Sequence, residues 1–280
     1  MMPFEMRQGS GHNPGSVVTR SAVSSSDDFV IFEQPLTERV RIFLRLEFLL
    51  AQRRHHRRDE TEFGVRSTLH VLLDLLAVMS RSDLKTDLLK ELTEQKASLT
   101  LLSKRPGVDQ DALIETLDGI NSAIRGLKGL ANHFASNLLR ESDFLTTVAN
   151  RYAMPGGTCG FDLPTLHFWL SQPRHLQEQD LDTWAADMIP FEQAIALYLR
   201  LLRESRETER VTAIKGMHIH MPNGPCHLLR AHVPRSIATF PEISASRHRF
   251  SIRFMTVASV KDRATQLGVD VPFLMQCCTL

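Results

Sequence analysis

The sequence has little cysteine, almost no net charge and no long hydrophobic run. Four of its 280 residues are cysteine, without a C-x-x-C pair, and a chain of this length needs no disulfides, so a reducing cytoplasm is expected. The formal net charge of +1 argues against bulk attraction to nucleic acid. The most apolar stretch, residues 71–79, is interrupted by Asp74 and is shorter than the roughly 20 residues of a membrane-spanning helix.

The common cofactor and nucleophile motifs are also missing. The sequence contains no G-x-G-x-x-G, no P-loop and no G-x-S-x-G, so we expect no cofactor and no enzyme activity of those types. Residues 1–28 lack the apolar core of a signal peptide, and we expect a flexible tail there. With 42% hydrophobic and 23% charged residues, the remainder has the composition of a globular chain of one or two domains.

Apolar residues at helical spacing predict a series of helices in the first three quarters of the chain. One helix begins after Thr37, a second covers 63–79 and a third begins after Ser82. A fourth covers 110–134 with Asp109 as its N-cap, and a fifth begins after Pro190. Their apolar stripes predict helices that pack against one another.

The period changes to two after Val211, which predicts β-strands. In the run 249–254, Phe250, Ile252 and Phe254 alternate with Arg249, Ser251 and Arg253, so the arginines lie on the face opposite the core, and Arg247 extends that face. Similar alternation occurs in 227–233 and at Met217, Ile219 and Met221, with a turn at 222–225 between them.

The predicted fold is therefore α+β, a helical domain packed against a smaller antiparallel β-sheet domain. We expect a flexible N-terminal tail at 1–28 and a mainly helical domain at 29–150, which helices from about 177–209 join. The antiparallel β domain comprises 151–176 and 210–258. A C-terminal extension, 259–280, completes the chain.

The charge is unevenly distributed, which favours a local anionic partner. From Val211 onward eight Lys and Arg residues face three Asp and Glu residues, a net charge of +5 in a chain that is nearly neutral overall. Arginines two apart on a strand stand about 7 Å from each other, a spacing that suits carboxylates on an extended peptide. A solvated strand face and a basic groove that binds nucleic acid are the alternative interpretations.

Several segments together resemble the ZapD family, Z-ring-associated proteins that crosslink filaments of the division protein FtsZ. They are MPGGTCGFDLPTLHFWL at 154–170, FEQPLTERVRIFLRLEFLL at 32–50 and RFSIRFM at 249–255. GVDQ at 107–110 and DLLKEL at 87–92 also fit the family. The resemblance covers roughly 32–255, in family order.

The resemblance implies a non-enzymatic cytoplasmic protein that acts at the division site. It implies that a homodimer binds the C-terminal tail of FtsZ, a short mixed acidic and apolar peptide, and so bundles filaments. The family's pocket between the helical and sheet domains carries over onto Arg249, Arg253 and Arg81, and Arg247 adjoins them.

The resemblance also implies dimer contacts on the helical domain. Arg45 and His167 match interface positions of the family, and Arg41 lies one turn from Arg45 on the same basic ridge. The third family position is Asp143 here, an acid where a base is expected. A solvated ridge with weak ion pairs is the alternative for Arg41 and Arg45.

Three other groups suggest chemistry that we do not expect the protein to perform. Cys159 with His167 suggests a nucleophile and its base, but Pro155-Gly156-Gly157 is ordinary turn chemistry. A zinc site at His218 and His220, with Cys226, His227 and His232 nearby, fits no usual ligand spacing, so we expect no metal. The RRHHRR run at 53–58 suggests an anion-binding patch, whereas a solvated loop is favoured because acids follow it.

Overall fold

The computed structural model describes residues 28–80, 83–103, 106–222, 224–245 and 249–280. Helices occupy the part of the chain up to Glu204, except for one strand at its start, and antiparallel strands occupy the rest. The predicted α+β class is confirmed. The helices are α1 Glu38–His56, α2 Glu62–Ser80, α3 Leu84–Leu102, α4 Gln110–Gly129, α5 Phe134–Glu141, α6 Asp143–Tyr152, α7 Pro164–Leu170, α8 Arg174–Ala185 and α9 Ile189–Glu204.

The helices begin where the sequence provides capping groups. The Thr37 hydroxyl accepts a hydrogen bond from the Val40 amide at the start of α1, and the Asp109 carboxylate accepts from two amides at the start of α4. The prediction for α4 was too long, because Leu130 is extended and His133 takes a left-handed conformation, so the chain turns before Phe134 starts α5.

Helix α2 lies at the centre of the helical core. Its predicted stripe, which includes Leu69, Leu72 and Leu76, is buried and packs against α1, α5 and α6. By length and composition alone, α2 is apolar enough to cross a membrane. More than half of its most apolar window is buried inside the protein, as expected for a core helix.

The strands form two antiparallel sheets. The strands are β1 Phe29–Pro35, β2 Glu209–Ala213, β3 Met217–His220, β4 Leu228–Pro234, β5 Phe240–Ala245, β6 Phe250–Thr256, β7 Thr265–Gln266 and β8 Val271–Cys278. The inner sheet has the order β1-β4-β8-β2, and the outer sheet has the order β3-β6-β5, with β7 also paired to β6.

The inner sheet lies between the helices and the outer sheet. Along β4, Leu228 belongs to the helical core, whereas Leu229 and Ala231 belong to a second core shared with Phe250 and Ile252 of the outer sheet. The molecule thus has three layers, and one face of the outer sheet points away from both cores.

Charged side chains connect the helices to the inner sheet. The Arg203 guanidinium on α9 donates to Glu33 on β1 and to Glu47 on α1, and Arg230 on β4 donates to Glu33 at 2.8 Å. Burial alone would raise the pKa of Glu33, but the hydrogen bonds and charges of Arg203 and Arg230 outweigh burial and hold that pKa below its ordinary value. These residues therefore connect four elements, β1, α1, β4 and α9.

Three segments differ from the sequence-based assignment of elements. Residues 29–35 form β1 of the inner sheet, although they were placed with the helical part. Within 151–176, which was assigned to the β domain, the structure has α7 and the start of α8. Residues 271–278, assigned to a C-terminal extension, form β8 between β4 and β2. The domain boundaries themselves stay a prediction.

The cysteines also differ from expectation. Cys226, which precedes β4, forms a disulfide with Cys277 of β8, their Cα atoms 5.6 Å apart, because β4 and β8 are neighbours in the inner sheet. Cys159 and Cys278 are free thiols. Burial raises the pKa of the Cys278 thiol to about 11, which keeps it protonated.

Candidate functional site

Strand β6 has the predicted alternation of buried apolar and outward-facing side chains. Phe250, Ile252 and Phe254 are buried against the inner sheet, whereas Arg253 points outward from the protein. Arg249 is exposed directly before the strand. The period-two prediction for this segment is confirmed, and its basic side faces away from both cores.

Two rows of side chains cross the outward face of this sheet. In one row, Arg253 lies between Met217 on β3 and Glu242 on β5. In the next row, Ser251 lies between Ile219 and Ser244. Directly opposed residues of antiparallel strands share a face, with Cβ atoms roughly 5 Å apart. We call these six residues, together with Arg249, the arginine face.

The arginine face is polar on one side and apolar on the other. Arg253 donates to Glu242 at 3.3 Å, and both side chains are about half exposed, so solvent screens this ion pair and it contributes little to stability. On the other side of Arg253, Met217 and Ile219 are 38% and 48% exposed. Basic, acidic and apolar groups are therefore offered together to a partner.

Strand β3 turns its apolar residues outward and its histidines inward. His218 packs on Phe273 of the inner sheet, and His220 stacks on Phe250. Burial, together with the charge of His220, lowers the pKa of His218 and favours its neutral form. The alternation in β3 is predictable from its sequence, but the side that faces the core is not, because either set of alternating side chains can face a core.

The predicted residues Arg81 and Arg247 lie outside the residues that the structure describes. In the sequence, Arg81 falls between Ser80, the last residue of α2, and Leu84, the first residue of α3. Arg247 falls in the sequence between the residues of β5 and those of β6. Their proximity to Arg253 stays a prediction.

A cleft of about 960 Å³ lies where α1, α3 and α9 meet the inner sheet. Its walls carry the carboxylates of Glu38, Glu91, Glu94 and Glu204, and Arg39 in the wall is paired with Glu91. Neither Arg249 nor Arg253 is among the described residues that line it. A cleft of this charge repels an acidic peptide, which fits the arginine face better.

The candidate dimer residues are exposed beside large apolar side chains. Arg41, Arg45 and Phe48 follow one another along the outward ridge of α1, and Phe48 is 66% exposed. Arg41 also pairs with Glu38 at 3.2 Å. On α7, His167 is exposed next to Phe168, which is 67% exposed. Exposed aromatic residues next to charged ones are typical of protein interfaces.

The third predicted dimer position, Asp143, lies in the first turn of α6. The preceding Ser142 hydroxyl caps this helix by accepting from the Leu145 amide. A carboxylate in the first turn interacts favourably with the helix dipole. Asp143 thus has a local structural role whether or not a partner contacts it.

Residues 53–56 of the basic run form the last turn of α1, and Arg57 and Arg58 follow in a turn, so the run is mostly helix and not the loop that we favoured. Arg57 donates to Glu178 and Asp182 of α8, and Arg54 pairs with Glu192 of α9. Because Arg54 and Arg57 are committed to acids of neighbouring helices, the run offers less free positive charge to nucleic acid than its sequence indicates.

Cys159 lies in the turn that leads into α7. Its thiol donates to the Asp162 carboxylate at 3.6 Å, and its carbonyl accepts from the Leu163 amide. Within the described residues, no hydrogen bond joins the thiol to a histidine. The backbone hydrogen bonds of Cys159 form the turn that we expected in this segment.

The histidines of β3 point to the same side of the strand, as predicted, with ring centres 6.1 Å apart. Across the described parts of the chain, no three His, Cys, Asp or Glu side chains are grouped closely enough to hold a metal ion. Among the described residues, these two histidines therefore have no third side chain of the kind that a zinc site needs.

Comparisons with known proteins agree on one family. The family model ZapD, described as "Cell division protein", matches residues 44–253. The protein named "Cell division protein ZapD" from Chromobacterium violaceum is 36% identical over 250 residues, 89% of this chain and 99% of that protein. Those of the same name from Methylococcus capsulatus and Azoarcus sp. are also 36% identical, over 90% of this chain and 98% and 100% of their own lengths.

Proposed function

Because this chain belongs to the ZapD family of cell division proteins, we propose that it binds the C-terminal tail of FtsZ at the arginine face and, as a homodimer, bundles FtsZ filaments at the Z-ring. It does so in the cytoplasm as a binding protein, without catalysis. The observation that carries the proposal is the exposed combination of Arg253 with Met217 and Ile219 on one sheet face, with the exposed Arg249 directly before the strand.

The chemistry of that face supports a mixed acidic and apolar peptide as its ligand. Arginine guanidinium groups hold carboxylates in paired hydrogen bonds, and their planar surfaces also stack on apolar side chains. Arg81 and Arg247 extend the same site in the proposal. The nucleic-acid alternative is not favoured, because Arg253 on this face is paired with Glu242 and, in the basic run 53–58, Arg54 and Arg57 are also paired with acids.

Dimerisation is the second part of the proposal, and it rests on Arg41, Arg45 and His167. Two tail sites in one dimer allow weak individual contacts to crosslink filaments, because the second contact forms at a high effective concentration. The exposed Phe48 and Phe168 beside these residues support an interface in which apolar groups are covered by a second copy.

A pelleting assay with FtsZ tests the binding proposal. Full-length FtsZ should co-pellet with the protein in bundles, and FtsZ without its tail should not. Each of Arg249→Glu, Arg253→Glu and Arg81→Glu should weaken tail binding by about tenfold or more, and rising salt should weaken parent binding. The control is Arg125→Glu, a reversal at an exposed position of α4. Unchanged tail affinity in all three reversals would contradict the proposal.

A further inference from the structure

Strand β3 has an unusual division of polar and apolar side chains. Its histidines occupy the side that packs on the inner sheet, and its apolar Met217 and Ile219 occupy the side that faces water. The Nε2 atom of His218 is buried and has no hydrogen-bond partner among the described residues. This orientation is unfavourable for two reasons: a polar atom is buried without a hydrogen bond, and apolar side chains are exposed to water.

The inverted orientation places the apolar residues beside the arginines. Met217 lies directly opposite Arg253 in the strand register, and Ile219 lies opposite Ser251, so their side chains extend from the same face of the sheet. Met221 follows one residue after the strand and is 70% exposed. Together Met217, Ile219 and Met221 form what we call the β3 apolar strip, which borders the arginines on the side away from Glu242.

We propose that the β3 apolar strip is the second half of the recognition surface, which binds the apolar side chains of the same acidic and apolar peptide whose carboxylates pair with Arg249 and Arg253. This inference rests on the proposed function, since it takes that peptide as the ligand. Charge complementarity fixes the class of partner, because a purely apolar partner would offer no carboxylates to the arginines and a purely acidic one would leave the strip in water.

The geometry suits an extended peptide that lies across the strands. Neighbouring strands are about 4.8 Å apart and alternate residues of one strand are about 7 Å apart, so a peptide of a few residues contacts both the strip and the arginines. Its apolar side chains fit over Ile219 and Met217, where the flexible methionine adapts to the shape of the ligand. The arginines then attract acidic peptides in general, whereas the strip selects those acidic peptides that also carry apolar side chains.

The test measures binding of a fluorescent FtsZ tail peptide to the full-length chain by anisotropy. Ile219→Thr keeps a β-branched residue that suits a strand and Met217→Gln keeps the side-chain length, so both variants are expected to fold. Each should weaken the tail affinity by about fivefold. Ile114→Thr, a change at a comparably exposed position of α4, should leave the affinity unchanged.

Salt dependence separates the apolar contribution from the electrostatic one. Ile219→Thr should lower the affinity equally at low and high salt, because burial of apolar surface is only weakly screened, whereas Arg253→Glu should also reduce the dependence on salt. A tail peptide whose apolar residues are replaced by serine should bind the parent more weakly and should bind Ile219→Thr with no further loss.

Two outcomes would overturn the inference. In the first, Ile219→Thr and Met217→Gln bind the tail as the parent does while Arg253→Glu fails to bind, so the proposed function stands without an apolar contribution. In the second, the strip variants keep tail affinity but lose dimer content in sedimentation, which assigns the strip to a contact between copies. If Arg253→Glu also bound normally, the proposed function itself would fail.

Discussion

Glu33 is the residue on which the attachment of the inner sheet to the helices depends most. It accepts hydrogen bonds from both Arg203 and Arg230, and its side chain is only 21% exposed. Sequence reasoning could not find it, because its partners lie 170 and 197 positions away. Removing its charge leaves two arginines close together with fewer acids between them.

We expect Glu33→Gln to lower the free energy of unfolding by about 2 kcal/mol at neutral pH, because charge-assisted hydrogen bonds are lost. The pKa of Glu33 is lowered in the folded protein, so its stabilisation is complete above the ordinary value of 4.5 and is lost as the pH falls through the lower folded value. Denaturant unfolding at several pH values checks this. The difference between parent and variant should shrink below about pH 4.5. Glu62→Gln, which removes the acid of an ion pair on α2, is the control and should lower the free energy of unfolding at neutral pH by much less.

Cys159 allows a second prediction about a single residue. Cys159→Ser should fold, dimerise and bundle FtsZ like the parent, and its stability should change by less than about 1 kcal/mol, because serine also donates a hydrogen bond to Asp162. Bundling is checked by pelleting and stability by thermal unfolding. If a folded, dimeric Cys159→Ser lost bundling, the thiol would have a chemical role that the turn interpretation denies it.

Gly216 determines where the strand β3 begins. The residue has φ +73 in the turn after β2, and a Cβ atom added there would lie 2.1 Å from the backbone oxygen of Leu267. The Gly216 carbonyl also accepts a hydrogen bond from the Phe254 amide at 2.8 Å. Because the clashing atom belongs to the backbone of Leu267, it cannot move aside as the end of a flexible side chain can. Any residue larger than glycine at this position therefore displaces the turn, and with it the β3 apolar strip.

Gly216→Ala should therefore destabilise the protein by about 2 to 4 kcal/mol and weaken tail binding more than a surface change would. Gly268→Ala is the matched control, because a Cβ atom at Gly268 meets nothing within 4 Å. Both variants are compared by chemical unfolding and by tail-peptide anisotropy. Equal stability of the two would mean that the turn relaxes without cost.

Helices were predictable from the sequence and several strands were not. The stripes of α2 and α3 are local patterns, and residues such as Leu69 and Leu88 are buried as their spacing indicates. Strands β1 and β8 exist because each pairs with β4, which is nearly 200 residues from β1. The local sequence of a strand does not indicate which distant strand it pairs with. Helix α7 has only 7 residues, too few to show a helical period.

At the scale of the whole molecule, part of the candidate site could also be predicted. The outward orientation of Arg253 follows from its alternation with Ile252 and Phe254. The neighbours of Arg253 do not, because Met217 and Glu242 reach it only through the register of three strands. Arg253 on β6 and the exposed ridge of α1 belong to different layers, so the proposed binding and dimer surfaces can be changed separately by mutation.

The last prediction uses this separation. The double variant Arg45→Glu, Phe48→Ser changes two exposed residues of one α1 ridge and should be monomeric at micromolar concentration, because reversed charge and lost apolar surface both oppose the contact. It should bind a single tail peptide with parent affinity. Bundling should nevertheless be lost, since one tail site per molecule cannot crosslink filaments.

Arg253→Glu is the complementary control for this experiment. It should remain a dimer in sedimentation, lose tail affinity in anisotropy and also fail to bundle, so the two variants lose the same activity for different reasons. Mixing them should not restore bundling, because neither protein supplies a dimer with two intact tail sites. Bundling by the monomeric double variant at the parent level would exclude crosslinking by a two-site dimer, even if tail binding at the arginine face were confirmed.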